Sequence, residues 1–162
     1  MKVCKAVLIL FFVFSFIGIS SAQSDMNNDA IHKEIAVKRV IQQFFKGLQS
    51  GDTITLKNTL ADTVILQTTY KNKEGRYILR TDDLSKVLKS IASKKPGDNW
   101  EERLLSYHIQ MDDNMANVWT PYEFYLNNDF SHCGVNSFQL FFDGSWKIIY
   151  LIDTRRKKDC NQ

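Results

Sequence analysis

Val118-Trp-Thr-Pro-Tyr-Glu-Phe-Tyr125 is the stretch on which the fold turns. β-Branched and aromatic residues fill it, as in a strand packed against neighbours. Pro121 interrupts it, which predicts an edge position or a bulge that bends the sheet. Working outward, three turn signals, Asp113-Asn114, Asn128-Asp129 and Asp143-Gly144, divide the last third of the chain into four strands near 101–112, 115–127, 130–142 and 145–154. Asp143-Gly144 is the strongest, a two-residue hairpin signal.

Folding the strands on those turns sets Ile109 against Val118, Tyr107 against Thr120, Leu105 against Tyr122, Tyr122 against Val135 and Val135 against Ile152. Phe141 with Trp146, Gln139 with Ile148 and Ser137 with Tyr150 join that face. The opposite face carries His108 with Trp119, Trp119 with Phe138, Leu140 with Lys147, Phe138 with Ile149 and Asn136 with Leu151. Both faces are substantially apolar, whereas a meander with one wet face alternates cleanly. Helices are therefore expected over one face and a second subunit over the other, in a homodimer.

Upstream, Ile31, Ile35, Val40, Ile41, Phe44, Phe45 and Leu48 share a helical stripe, with Asp29 to cap its start and Gly51 to end it. A short helix over 52–58, a strand over 64–70, a brief strand over 77–79 and a third helix opening at Thr81-Asp-Asp83 follow. Pro96 and Gly97 stop that last helix.

The N-terminus reads as an address. Lys2 and Lys5 precede an apolar run over 7–19, and Ser20-Ser21-Ala22 offers small residues for cleavage. The expected organisation is a signal peptide over 1–22 and one domain over 23–162, exported to the periplasm or outside the cell and free of the membrane after processing. Cleavage removes two lysines from 21 basic and 18 acidic residues, leaving 19 against 18. Near-neutrality gives no electrostatic case for nucleic acid.

Cys133 and Cys160 survive cleavage, and an even pair in an oxidising compartment reads as a disulfide in preference to a metal or catalytic pair. There is no CxxC and no zinc spacing, so neither metal nor cofactor is expected. Cys160 lies a short fold-back beyond Thr154, itself expected opposite Cys133, so the bridge would tether the basic tail Asp153-Thr-Arg-Arg-Lys-Lys158 over the sheet end. That tail reads as a solvated run with one arginine pinned to an acid, or as a rim where Arg155 or Arg156 receives a carboxylate or phosphate.

The element order resembles the nuclear-transport-factor-2-like (NTF2-like) superfamily, an α+β cone with a long N-terminal helix and two shorter helices packed on a curved antiparallel sheet. Phe45-Lys-Gly47 through Gly51-Asp52 is similar to the helix junction of such proteins. Val118 to Tyr125, Ser131-His-Cys-Gly134, Gly144-Ser-Trp-Lys-Ile148 and Asp153-Thr-Arg-Arg-Lys157 are similar to exported bacterial members known as putative lumazine-binding proteins. The resemblance implies a small-molecule-binding module. Because fold does not dictate function, an isomerase- or dehydratase-like enzyme and an interaction domain with a filled cone stand as alternatives.

Tyr107, Thr120, Tyr122, Ser137, Gln139 and Tyr150 share the first face in this register, more hydroxyl and amide groups than a dry core carries. They are the expected pocket wall, against the plainer reading that each caps a backbone group. An enzyme would need a buried acid beside a tyrosine. Asp62 at the mouth of the first strand is the candidate, while His108 beside Trp119 reads as a packed sheet histidine, His132 as polar near a hairpin end and His32 as solvated.

Overall fold

The computed structural model describes residues 17–160, with side chains from Asn28. The chain divides into two units, residues 1–35 and 36–162. In the first, α1 (Ile17–Ser50) is already helical, so Asp29 lies inside the helix, paired with Lys33 at 2.8 Å, and does not cap it. The expected signal peptide lies outside the described residues up to residue 16, and its last residues belong to α1. Ile31 and Ile35 are exposed, so the buried stripe begins at Val37. Among the described residues no helix is long and apolar enough to cross a membrane.

In the second unit, α1 continues and buries Val37, Ile41, Phe44 and Phe45. Asp52 caps α2 (Thr53–Asn58), accepting from the backbone N–H groups of Ile54 and Thr55, and Asp83 caps α3 (Leu84–Ala92) through Lys86. The strands are β1 (Leu60–Lys71), β2 (Tyr77–Asp82), β3 (Trp100–Leu104), β4 (His108–Asp112), β5 (Met115–Leu126), β6 (Asp129–Phe142) and β7 (Trp146–Arg155). They form one curved, mixed sheet in the order β2-β1-β7-β6-β5-β3, with β4 also on β5. The meander is antiparallel as expected, and β1 joins it through a parallel pair with β7.

The first hairpin has the expected register near its turn, Ile109 against Val118 and His108 against Trp119, but further along Leu104 and not Leu105 faces Tyr122, and Tyr107 falls in the gap between β3 and β4. The next two hairpins do not keep the expected register. The β5–β6 turn is Asn127-Asn128, both with positive φ (54° and 72°), and not Asn128-Asp129. A bulge between Phe124 and Tyr125 then leaves Tyr122 facing Gly134 in place of Val135, a one-residue slip that carries the β6 side chains from His132 onward to the other face. The β6–β7 loop is three residues, 143–145, setting Trp146 against Phe142, and a bulge after Gln139 shifts the pairing again.

Pro121 does not lie on an edge strand. Its partner strand breaks instead: β3 ends at Leu104 opposite Tyr122, β4 resumes at His108 opposite Trp119, and Leu105 N–H reaches the Pro121 carbonyl at 2.9 Å. The missing proline N–H thus sits where the neighbouring strand has left the ladder.

The inner face packs Val118, Phe138, Leu140 and Ile148 against α1, α2 and α3, with Phe44, Phe45 and Phe138 in mutual edge-to-face contact at 5.2–5.9 Å. The outer face leaves Ile65, Leu79, Met115, Trp119 and Phe141 exposed. Cys133 and Cys160 form a disulfide, with Cα atoms 5.7 Å apart.

Candidate functional site

Four adjacent strands place one polar row across the inner face. Register sets Thr68 of β1 beside Asp153 of β7, Asp153 beside Asn136 of β6, and Asn136 beside Thr120 of β5. All four are buried. The row exists because strand periodicity is two, and in each strand the residue two positions away on the same face is apolar: Leu66, Leu151, Phe138 and Val118.

Asp153 is the hub. Its Oδ1 accepts from Thr68 Oγ1 at 2.6 Å, and its Oδ2 accepts from Arg155 Nε at 2.7 Å and Tyr122 Oη at 3.1 Å. Tyr122 reaches it from two strands away because the strand between has Gly134 there. A Cβ on Gly134 would stand 1.7 Å from the Thr154 carbonyl oxygen and 2.9 Å from the Tyr122 ring. The glycine therefore lets the Tyr122 hydroxyl also approach Thr154 O at 3.0 Å.

Asn136 extends the network by donating to Glu102 Oε1 at 2.7 Å. Glu102 keeps some exposure as a residue, but its carboxyl sits deep, and desolvation, reinforced by the negative charge of Asp153 and opposed by the Asn136 hydrogen bond, pushes its pKa up to about 7. His132, on the inner face between the Tyr122 and Phe124 rings, is pushed down to about 4 by burial and by the Arg155 charge. Desolvation, with Asp153 alongside, raises the Tyr122 phenol well beyond its ordinary value, so it stays a hydrogen-bond donor.

Two openings meet this network. A cleft of about 1090 Å³ lies at the end of the sheet, where Thr68, His132 and Arg155 form part of its lining beside Tyr70, Tyr77 and Arg80. A groove of about 530 Å³ lies between α1 and β3, where Gln42, Gln49 and Tyr107 surround Glu102. The first volume suits a small organic molecule.

The structure separates the residues expected to form one wall. Thr120 and Tyr122 share the inner face, and Tyr107 lines the groove beside Glu102. Ser137, Gln139 and Tyr150 lie on the outer face, because the slip in β6 and the bulge opposite β7 reverse them. Tyr150 there donates to Gln67 Oε1 at 2.5 Å. Asp62 is exposed.

Asp153, Asn136, Glu102 and His132 were not legible as a site. The available signal was Asp153-x-Arg155, a charged pair at strand spacing just after the apolar run of β7. Among the described residues no group of three His, Cys, Asp or Glu is placed to hold a metal ion.

The family described as "Putative lumazine-binding" matches residues 32–150. No curated relative matches the chain. Among solved structures, an NTF2-like protein from Cytophaga hutchinsonii is 15% identical, with a TM-score of 0.58 over 76% of this chain and 98% of that one. A putative scytalone dehydratase from Novosphingobium aromaticivorans is 14% identical, with a TM-score of 0.60 over 80% and 88%. An NTF2-like protein of unknown function from Shewanella baltica is 11% identical, with a TM-score of 0.57 over 79% and 97%. At these identities the likeness shows the fold, the α+β NTF2-like cone.

Proposed function

This chain belongs to the putative lumazine-binding family, and from that premise we propose that it is an exported module that binds a small, partly apolar molecule in the cleft at the sheet end. The observation that carries the reading is the cleft itself, about 1090 Å³, with members of a buried hydrogen-bonded network in its lining. A few polar groups held by their neighbours orient a ligand while the Tyr70 and Tyr77 rings supply contact area. The family description supports a small-molecule ligand, with pteridines such as lumazine as first probes.

Export rests on the signal-like residues 1–22, and a homodimer rests on the outer face, where Trp119, Phe141 and Met115 are exposed. Native mass spectrometry of the unreduced protein from an exporting host tests all three parts. The expected species starts at Gln23, is a dimer and carries a discrete small-molecule mass. A bare protein that lumazine does not stabilise against heat overturns the binding reading and favours an interaction domain.

A second reading has one specific observation behind it. An isomerase- or dehydratase-like enzyme needs a buried acid beside a tyrosine, and Glu102 lies with Tyr107 in the groove lining. Asp153 is the poorer base despite its contact with Tyr122, since both its oxygens already accept hydrogen bonds. Glu102 accepts through Oε1 and has a pKa near neutrality, the range that suits proton transfer at physiological pH.

A further inference from the structure

We propose that the cleft selects a ligand bearing a compact oxyanion, a carboxylate or a phosphate, on a planar body. The inference rests on the reading above that the cleft is the binding site, and it names the chemistry that the site would take.

Charge is the first argument. Lys71, Arg80, Arg155, Arg156, Lys157 and Lys158 line the cleft against one acid, Asp159. Two further acids, Asp82 and Asp153, pair with Arg80 and Arg155, so that among the described lining residues the other four cations have one acid, Asp159. The whole chain carries a formal charge of only +3, so the positive charge is concentrated here.

Pre-organisation is the second. A solvated lysine-arginine run spends conformational entropy on gripping an anion, but this one is held. Arg156 exchanges two backbone hydrogen bonds of 2.9 Å with Cys133, and the Cys133–Cys160 bridge closes the segment behind it. The Arg156 Nε–H donates to the Asp159 carbonyl at 3.0 Å. Arg155 is pinned through Nε to Asp153, and no described residue takes its Nη groups, the edge that binds carboxylate and phosphate oxygens through parallel hydrogen bonds.

The walls are the third. Tyr70 and Tyr77 stand in the cleft lining, with Arg80 5.9 Å from the Tyr70 ring centroid and Lys71 5.4 Å from that of Tyr77. His132, uncharged at neutral pH, adds a third flat ring and avoids a further repulsive cation beside Arg155. Flat rings next to fixed cations fit a planar anion better than a flexible or a neutral one.

Calorimetric titration of the disulfide-intact protein with benzoate, phenyl phosphate and neutral benzamide tests the proposal. Both anions are expected to bind at least about tenfold more tightly than benzamide, and to weaken as salt rises. Tighter binding of one anion upholds the proposal and identifies the headgroup. Arg155→Lys keeps the charge beside Asp153 but lacks the fork, and is expected to weaken both anions by about tenfold. Lys157→Gln with Lys158→Gln, on the exposed tail, is expected to weaken them by about threefold with an unchanged melting temperature, which keeps the test sound should the arginine variant fold poorly. Benzamide binding as tightly as the anions overturns the inference and leaves small-molecule binding standing. Anion binding that neither variant alters also overturns it. If none of the three binds the inference fails, while a retained ligand in the native mass spectrum still upholds the broader reading.

Discussion

Two rows of the inner face, one dihedral repeat apart on the same strands, are built on opposite principles. Val118 and Phe138 pack in the core with α1, Leu151 packs against that core and Leu66 is buried, and all gain by leaving water, by about 25 cal/mol per Å² of apolar surface. Thr68, Asp153, Asn136 and Thr120 lie about 7 Å further along. They lose hydration and recover it through hydrogen bonds: Thr68 with Asp153, Asp153 also with Arg155 and Tyr122, Asn136 with Glu102, and Thr120 with the Pro121 carbonyl at 3.5 Å. Among the described residues no buried side-chain polar atom lacks a partner. A buried, fully bonded polar network stabilises a fold little better than an apolar filling would. Its presence beside a cleft points to a binding task, and the comparison teaches that the first row holds the sheet while the second shapes the site.

The sharpest way to break that division is Phe138→Ala. Phe138 is fully buried against Phe44 and Phe45, so its truncation is expected to lower unfolding free energy by about 3–5 kcal/mol in urea denaturation while leaving anion affinity unchanged in the folded fraction. Weakened affinity there would show that the rows are not separable.

Gly134→Ala comes next, with about 3 kcal/mol expected from the clash with the Thr154 carbonyl. Unlike the phenylalanine change, it should also lower anion affinity, because it displaces the Tyr122 ring and the strand that carries Arg155.

Glu102→Gln sharpens the electrostatic side. The folded pKa of about 7 lies above the ordinary 4.5, so the stability linked to its protonation is complete below about pH 4.5 and is lost as pH rises through 7. The glutamine variant lacks that loss and is expected to be more stable than the parent at pH 8, by at most about 3 kcal/mol, and equal to it near pH 4. His132 acts in the opposite sense: its folded pKa of about 4 lies below 6.5, so its contribution is complete above 6.5 and is lost as pH falls towards 4. The difference between variant and parent, in which His132 cancels, is the quantity to follow by denaturation across pH. A flat difference would show that Glu102 is solvated.

The smallest effects separate the two tyrosines once expected to share a wall. Tyr122→Phe removes a donor from Asp153 inside the network, and a loss of about 1–2 kcal/mol is expected by thermal denaturation. Tyr150→Phe removes a partly exposed contact to Gln67 on the outer face, and should cost about 0.5 kcal/mol or less. Equal losses would contradict the assignment of the two rings to opposite faces.

Much of the fold was legible along the chain. Helical spacing marked the buried half of α1, turn residues divided the meander, the Asp113-Asn114 hairpin had the right register near its turn, and the two late cysteines pair as their even number suggested. The candidate site was legible only in fragments. Tyr122 and Thr120 fall together on one face in both the expected and the observed register, but along the chain Asp153 reads as the start of a tail and His132 as a polar residue near a hairpin end, because the groups that bury them lie elsewhere: Thr68 is 85 residues from Asp153, and Glu102 is 34 from Asn136.

The sequence by itself determined the kinds of element, their order and the family to which the chain belongs, since periodicity, capping and turn chemistry act over a few neighbouring residues. Only the tertiary structure decided which face each strand turns inward. That choice depends on where one turn falls, on the length of another loop and on two bulges, and because successive strand side chains alternate, a slip of a single residue moved Ser137 and Gln139 to the outer face and brought Asn136 into the site.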